Sequence, residues 1–268
     1  MTRIRLVISD VDGTLVTRDK RLTAASVKAV QTLRDHGIRF SITSSRPPFG
    51  MRMLCAPLKL DLPIGPFNGS SLVMPDLTVL DQATIPPRAA AASVALFARN
   101  GIDVWLFTNS QWLIQRDDGR YVPHEQKTID TAPVRLAPGA TPPDGICKIV
   151  GVSGDFDLLV RCETELQSLL GRDAQAARSQ NYYLDVTPPG HDKGAFVAAM
   201  SERLDIARED IATIGDMSND LPMFATSGVS FAMGNAADPI KAKTTYVTAA
   251  NEDDGFAKAV DRILELNG

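Results

Sequence analysis

Cysteine is scarce in this 268-residue chain, and the three present, Cys55, Cys147 and Cys162, are widely spaced and form no CxxC pair. That argues against a zinc site and against a disulfide framework, and leaves the thiols as ordinary packing residues. Long apolar runs are missing as well. None approaches the roughly 20 residues that a membrane helix needs. The short apolar stretch from Ile4 to Ser9 is interrupted by Arg5 and lacks the length of a secretion-signal core. The cytoplasm is therefore the expected location, with no membrane partner. Positive charge is not in excess: 28 Lys and Arg stand against 32 Asp and Glu, a net charge of -4. The cluster Arg18, Lys20, Arg21 is broken by Asp19, so no nucleic-acid partner is expected. No tandem repeat or low-complexity segment is visible, and nothing specifies an oligomeric state. With 44% hydrophobic and 22% charged residues, the composition is that of a soluble globular protein, long enough for one large domain or two smaller ones.

What is present is an alternation of strand and helix patterns. Ile4–Ser9 reads as a buried parallel strand ending at Asp10. Thr23 is a candidate N-cap for a helix running to about His36, with Gly37 as its C-terminal stop. Ile38–Thr43 is the next strand, Pro63–Phe67 a third, and Ser71–Asp81 a hairpin turning near Pro75-Asp76. This order implies a parallel α/β sheet. After Ile85-Pro86-Pro87 the texture changes to an Ala-rich helix, the alternating strands 103–108 and 111–115, a strand at 146–152, a helix at 156–170 and a strand at 182–186. Beyond Thr187-Pro188-Pro189-Gly190 the α/β pattern resumes, with helix 194–204, strand 211–214, short helix 221–225, strand 229–232 and a last helix at 254–266. The two proline connectors bracket an inserted α+β module.

Four segments carry chemistry. Asp10-Val11-Asp12-Gly13-Thr14-Leu15 follows the first strand, at the end where ligands bind in open α/β sheets, and Gly13 allows a sharp turn beside two carboxylates. The same letters would suit a plain turn or part of a calcium loop, although the glutamate such a loop needs is replaced by Arg21. Gly215-Asp216-Met217-Ser218-Asn219-Asp220 again places carboxylates after an apolar strand; Asp216 and Asp220 are hard oxygen donors suited to Mg²⁺. A helix cap before Leu221 would explain Asn219 or Asp220, but not Asp216. Ser44 offers a hydroxyl at the end of the second strand, where a loop can hold a phosphoryl oxygen. Lys193 opens a helix, where a cation is mildly disfavoured unless an anion accompanies it.

Taken in order, these segments resemble the haloacid dehalogenase superfamily, and within it the Cof-type phosphatases. Phe67-Asn68-Gly69, Phe231-Ala232-Met233-Gly234-Asn235-Ala236 and Asn251-Glu252-Asp253-Asp254-Gly255 add to the match. One departure is Ser44-Ser45-Arg46, where the family usually reads Thr-Gly-Arg; serine keeps the hydroxyl, but loss of the glycine is expected to reshape the loop. The resemblance implies a Rossmann-like parallel core formed by residues 1–83 and 188–268, with a C2-type α+β cap at 84–187. It implies Asp10 as nucleophile and Asp12 as general acid and base. It implies Mg²⁺ held by Asp10, Asp216 and the backbone carbonyl of Asp12. Ser44, Lys193, Asn219 and Asn68 would hold the phosphate, with Asp220, Arg46 and Thr14 in support. Crowded carboxylates repel without a cation, which makes the metal a requirement of this reading.

The implied activity is hydrolysis of a small phosphorylated metabolite, a sugar phosphate or similar, through an aspartyl-phosphate. The alternatives are a phosphomutase of the same superfamily and a non-catalytic phosphometabolite-binding regulator; the presence of both Asp10 and Asp12 argues against the latter. The cap would select the leaving group, with Arg116, His124, Tyr182 and Asp185 as candidate contacts. Trp105 and Trp112, on strands, are expected in the core.

Overall fold

The computed structural model describes residues 3–137 and 143–268. The chain begins β1 (Leu6–Ser9), α1 (Ala24–Asp35), β2 (Arg39–Ile42), α2 (Arg52–Cys55), β3 (Ser71–Val73) and β4 (Val79–Gln82). It continues α3 (Pro87–Arg99), β5 (Asp103–Phe107), β6 (Trp112–Ile114), α4 (Val122–Ile129), β7 (Val134–Arg135), β8 (Lys148–Val152), α5 (Phe156–Leu170), β9 (Gln175–Gln180) and β10 (Tyr183–Thr187). It closes with α6 (Lys193–Leu204), β11 (Ile211–Gly215), α7 (Leu221–Thr226), β12 (Val229–Ala232), α8 (Asp238–Lys241), β13 (Tyr246–Val247) and α9 (Gly255–Leu266).

The first sheet has the order β13-β12-β11-β1-β2, and every pairing in it is parallel. Both of its faces are covered, which is why β1 and β11 read as largely apolar runs. Val7 and Ile214 point to one side, with Leu33 of α1 and Val260 and Ile263 of α9. Leu6 and Ile8 point to the other, with Phe196 and Met200 of α6 and Met223 of α7. Each such buried side chain contributes ~1.5–3 kcal/mol. The predicted start and stop of α1 are both present. The Thr23 hydroxyl accepts the Ser26 N–H at 3.0 Å, an interaction of ~1 kcal/mol, and Gly37 takes a positive φ of 71°.

One predicted strand is not formed. The segment 63–67 makes only isolated bridges, Thr43 with Gly65 and Ile64 with Val73, and Phe67–Gly69 is a 3-10 turn. Pro63 and Pro66 remove two N–H donors from this stretch, so a continuous ladder cannot develop.

A second sheet, order β7-β6-β5-β8-β10-β9, comes from the segment between β4 and α6. One face packs on α3 and α5 through Leu96, Phe97, Leu159 and Leu166. The opposite face turns toward the first unit. Trp105, Phe107, Trp112, Ile129 and Val150 cluster there with Phe49 and Phe67. Trp105 and Trp112 are thus core residues, as expected. The second sheet lies as a lid over the first unit, apolar at its centre and polar where Lys148 and Asp185 interrupt the same face.

Candidate active site

Three neighbouring strands deliver the site. β1 is flanked by β11 and β2, so the residues that follow each, Asp10, Asp216 and Ser44, emerge side by side at the carboxyl edge. Asp10, Ser44 and Asp216 are all buried. Gly13 adopts φ +83°, and a Cβ there would collide with the Asp216 carboxylate, so glycine is required for the Asp10 loop to lie against Asp216.

Lys193, the first residue of α6, is fully buried and bridges two acids. Its ammonium donates to Asp10 Oδ1 and to Asp220 Oδ1, each at 2.5 Å. The unfavourable position of a lysine at a helix N-terminus is offset by this double pairing. Burial alone would lower its pKa, but the two carboxylates outweigh burial and hold it well above the ordinary lysine range. Asp220 is occupied on both oxygens, since Oδ2 accepts the N–H groups of Asp216 and Met217. It fixes Lys193 and the Asp216 loop.

Asp216 Oδ1 accepts from the Thr14 hydroxyl at 3.2 Å, and Oδ2 accepts from Asn235 Nδ2 at 3.1 Å. Asn235 also donates to the Gly13 carbonyl, and its own Oδ1 accepts the Asn251 N–H. Asn235 is therefore a site residue that sequence reasoning left unassigned. It lay in the quoted Gly234-Asn235-Ala236 segment, whose letters alone do not say which carboxylate it reaches.

Carboxylate oxygens of Asp10, Asp216 and Asp220 lie within 4.8 Å of one another. Burial, with the neighbouring carboxylates, pushes Asp10 up to about 7 and Asp216 up to about 8, partly opposed by Lys193. A single ammonium cannot neutralise three acids. A hard divalent cation between Asp10 and Asp216 fits this donor set and would relieve the repulsion.

Ser44 is tied into its loop. The Arg46 N–H donates to Ser44 Oγ at 3.2 Å, and the Ser44 carbonyl accepts the Asn68 N–H at 2.7 Å. Asn68 sits in the left-handed region, and its side-chain oxygen accepts from Asn219 Nδ2 at 3.1 Å. The Ser45 backbone lies outside that region, so the loop has no conformational need for glycine there.

Asp12 is held by two cations. Arg46 donates through Nε to Oδ2 at 2.7 Å and through Nη2 to Oδ1 at 2.8 Å, and Lys20 Nζ reaches Oδ1 at 2.7 Å. Burial alone would raise its pKa. Arg46 and Lys20 outweigh burial and hold the carboxyl well below the usual carboxylate range. In this arrangement the ionised form of Asp12 is favoured.

The second sheet closes the site from above. Lys148 Nζ donates to the Ser45 carbonyl at 3.3 Å, and a cleft of about 390 Å³ lies between the two units. Of the candidate cap contacts, His124 and Tyr182 line it. Arg116 does not; it is exposed and pairs with Asp118. Asp185 is buried beside Lys148, at 2.8 Å. Glu125 and Tyr183 also line the cleft and went unpredicted, because α4 is only eight residues long with no side-chain cap to mark its start, and Tyr183 reads as an ordinary strand residue.

A family model described as haloacid dehalogenase-like hydrolase matches residues 7–260. The chain belongs to the haloacid dehalogenase-like hydrolases. Among its relatives, the HMP-PP phosphatase of Cronobacter sakazakii is 28% identical over 244 residues, covering 91% of this chain and 89% of that one. The 5-amino-6-(5-phospho-D-ribitylamino)uracil phosphatase YwtE of Bacillus subtilis is 25% identical, covering 97% of this chain and 98% of that one. A solved haloacid dehalogenase-like hydrolase from Bacteroides thetaiotaomicron superposes with a TM-score of 0.87 at 26% identity, covering 97% of this chain and all of the other. In the haloacid dehalogenase fold the parallel sheet is the catalytic core and the second sheet is the cap. No helix among the described residues is long and apolar enough to cross a membrane.

Proposed function

We propose that this haloacid dehalogenase-like phosphatase hydrolyses the phosphate monoester of a small metabolite through an aspartyl-phosphate on Asp10. The observation that carries this reading is the convergence of Asp10, Asp216, Ser44 and Lys193 at the ends of adjacent parallel strands and the start of α6. Asp10, Asp216 and the backbone carbonyl of Asp12 would hold Mg²⁺, which when bound offsets negative charge on the carboxylates and the phosphoryl group.

In the first step an oxygen of Asp10 attacks phosphorus and the bond to the leaving alcohol breaks. Asp12 gives the leaving oxygen a proton, for which its carboxyl must turn from the Arg46 and Lys20 fork. In the second step water attacks the aspartyl-phosphate. Asp12 takes the water's proton, the bond between phosphorus and Asp10 breaks, and inorganic phosphate leaves. Lys193 orients Asp10 and, with Ser44, Asn219 and Asn68, holds phosphoryl oxygens in place.

A C2-type cap spanning 84–187 would close on a core of 1–83 and 188–268, with hinges at Pro86-Pro87 and Pro188-Pro189. Closure excludes water during the first step and offers the leaving group a wall of cap residues. The relatives are named for different phosphorylated metabolites, which suits a constant phosphate site beneath a variable wall.

The test is turnover of p-nitrophenyl phosphate with Mg²⁺. Asp10→Asn is expected to abolish phosphate release while leaving circular dichroism and melting unchanged in form. Near wild-type activity of that variant would overturn the nucleophile assignment. Release that depends on an added sugar bisphosphate would point instead to a phosphomutase.

A further inference from the structure

With the phosphoryl group at Asp10 and the ester oxygen toward Asp12, the rest of the substrate must occupy the cleft of about 390 Å³ beneath the cap. That space admits a monocyclic metabolite and no macromolecule. The cap side of the cleft has three distinct features.

The first is an acceptor. Glu125 Oε2 takes the Tyr183 hydroxyl at 3.2 Å, and among the described residues no donor pairs with the other carboxylate oxygen. Tyr183 is held protonated by burial and by Glu125, so it is a fixed donor and leaves Glu125 oriented. The second is a donor. Lys148 stands on β8, opposite Phe107, with Asp185 at 2.8 Å and the Ser45 carbonyl at 3.3 Å. It lines the same cleft as Glu125. The third is a flat surface. Tyr182 stacks on Tyr121 with ring centres 4.5 Å apart and planes 7° from parallel, and it lines the cleft.

An acceptor beside a donor, next to a stacked ring, matches the edge and face of a flat heterocycle. His124, Thr128, Ser179 and Gln180 also line the cleft, so discrimination against a sugar rests on the aromatic face, which gives hydroxyls no conventional hydrogen bond. Resting on the aspartyl-phosphate reading above, we infer that Glu125, Lys148 and Tyr182 select a leaving group built on a planar nitrogen ring. Glu125 accepts an N–H or O–H of the ring, Lys148 donates to a ring or carbonyl acceptor, and Tyr182 covers one face. Asp185 acts on Lys148 as a positioning residue.

The experiment uses the full chain with Mg²⁺ and three probes. Pyridoxal 5′-phosphate is a flat nitrogen ring with a donor, glucose 6-phosphate has donors without a flat ring, and p-nitrophenyl phosphate is flat without a donor. The first two are both esters of primary alcohols, so their kcat/KM values compare directly. The wild type is expected to favour pyridoxal 5′-phosphate over glucose 6-phosphate by about tenfold or more. Glu125→Gln should reduce that preference by about tenfold, chiefly through KM, and should affect p-nitrophenyl phosphate less. Tyr182→Leu should raise KM for both flat probes more than for glucose 6-phosphate. Turnover of p-nitrophenyl phosphate by each variant reports that it is folded. Preference for the sugar phosphate, or equal losses on all three probes, overturns the ring selection while leaving the hydrolase reading intact. No turnover of any probe by the wild type overturns both.

Discussion

In the proposed mechanism Asp12 has two tasks that demand opposite protonation states, and its surroundings favour one of them. The Arg46 fork and Lys20 stabilise the carboxylate, which is the form needed to take a proton from water. The acid task requires the proton to be delivered to a poor leaving group. Asp12→Asn should therefore reduce kcat by about 10²–10⁴ on an alkyl phosphate. On p-nitrophenyl phosphate, whose leaving group needs no proton, the first step should be affected much less. Burst kinetics that separate phenolate release from phosphate release check this. Equal loss of the first step on both substrates would remove the acid role. The two carboxylates of Asp10 and Asp12 were legible as a pair after a strand. Their division into a lysine-bound carboxylate and an arginine-bound one was not, because Lys193 and Arg46 are distant from them in sequence.

At the level of elements, the informative strands are β8 and β10 of the cap. Lys148 alternates with Val150 and Val152, and Asp185 with Tyr183 and Thr187, so both point to the face that covers the core. Their charges are 2.8 Å apart, yet among the described residues neither Asp185 oxygen has a partner in hydrogen-bond geometry. The pair is held by Coulomb attraction in a largely buried position at the edge of the cleft. Lys148→Met would leave a buried carboxylate alone and should destabilise the protein by ~3–5 kcal/mol. The double variant Lys148→Met, Asp185→Leu should recover most of that loss, because both charges are then removed. Urea unfolding of the single and double variants measures the difference; equal destabilisation by both would show that the pair is not coupled. A period-2 pattern in sequence marks these residues as sharing a face. It does not say whether that face meets solvent or another part of the chain. The segment 63–67 shows the converse limit, since its apolar letters suggested a strand but its prolines leave only bridges.

For the whole molecule, folding itself gathers the acids, and so stability, metal and pH are linked. Asp10 and Asp216 are raised to about 7 and about 8 from the ordinary aspartate value, chiefly by burial. A carboxyl whose folded pKa is raised favours the folded state fully at pH below its unfolded value. That contribution is lost as pH rises through the folded pKa. The melting temperature of metal-free protein should therefore fall between about pH 4 and about pH 8. Mg²⁺ binds the ionised form, so its stabilising effect should grow over the same range and oppose the fall. Thermal melts with chelator and with excess Mg²⁺ test this. Parallel curves would show that the acid cluster does not hold the ion.

The sequence by itself determined the elements and the chemical vocabulary. Apolar runs set the parallel strands, Thr23 and Gly37 bounded a helix, and carboxylates, a hydroxyl and a lysine stood at element ends in the order of a known family. These are local properties, fixed by periodicity, capping and turn geometry within a few residues. Tertiary structure decided everything that depends on distance across the chain. It placed Lys193 between Asp10 and Asp220, brought Asn235 to Asp216, and locked Asp12 onto Arg46. It also turned Arg116 to the surface while bringing Glu125 and Lys148 over the catalytic edge. The physical reason is that a sheet order of β11-β1-β2, and a cap laid across it, juxtaposes residues by packing of distant faces, and no spacing within the chain encodes which faces meet.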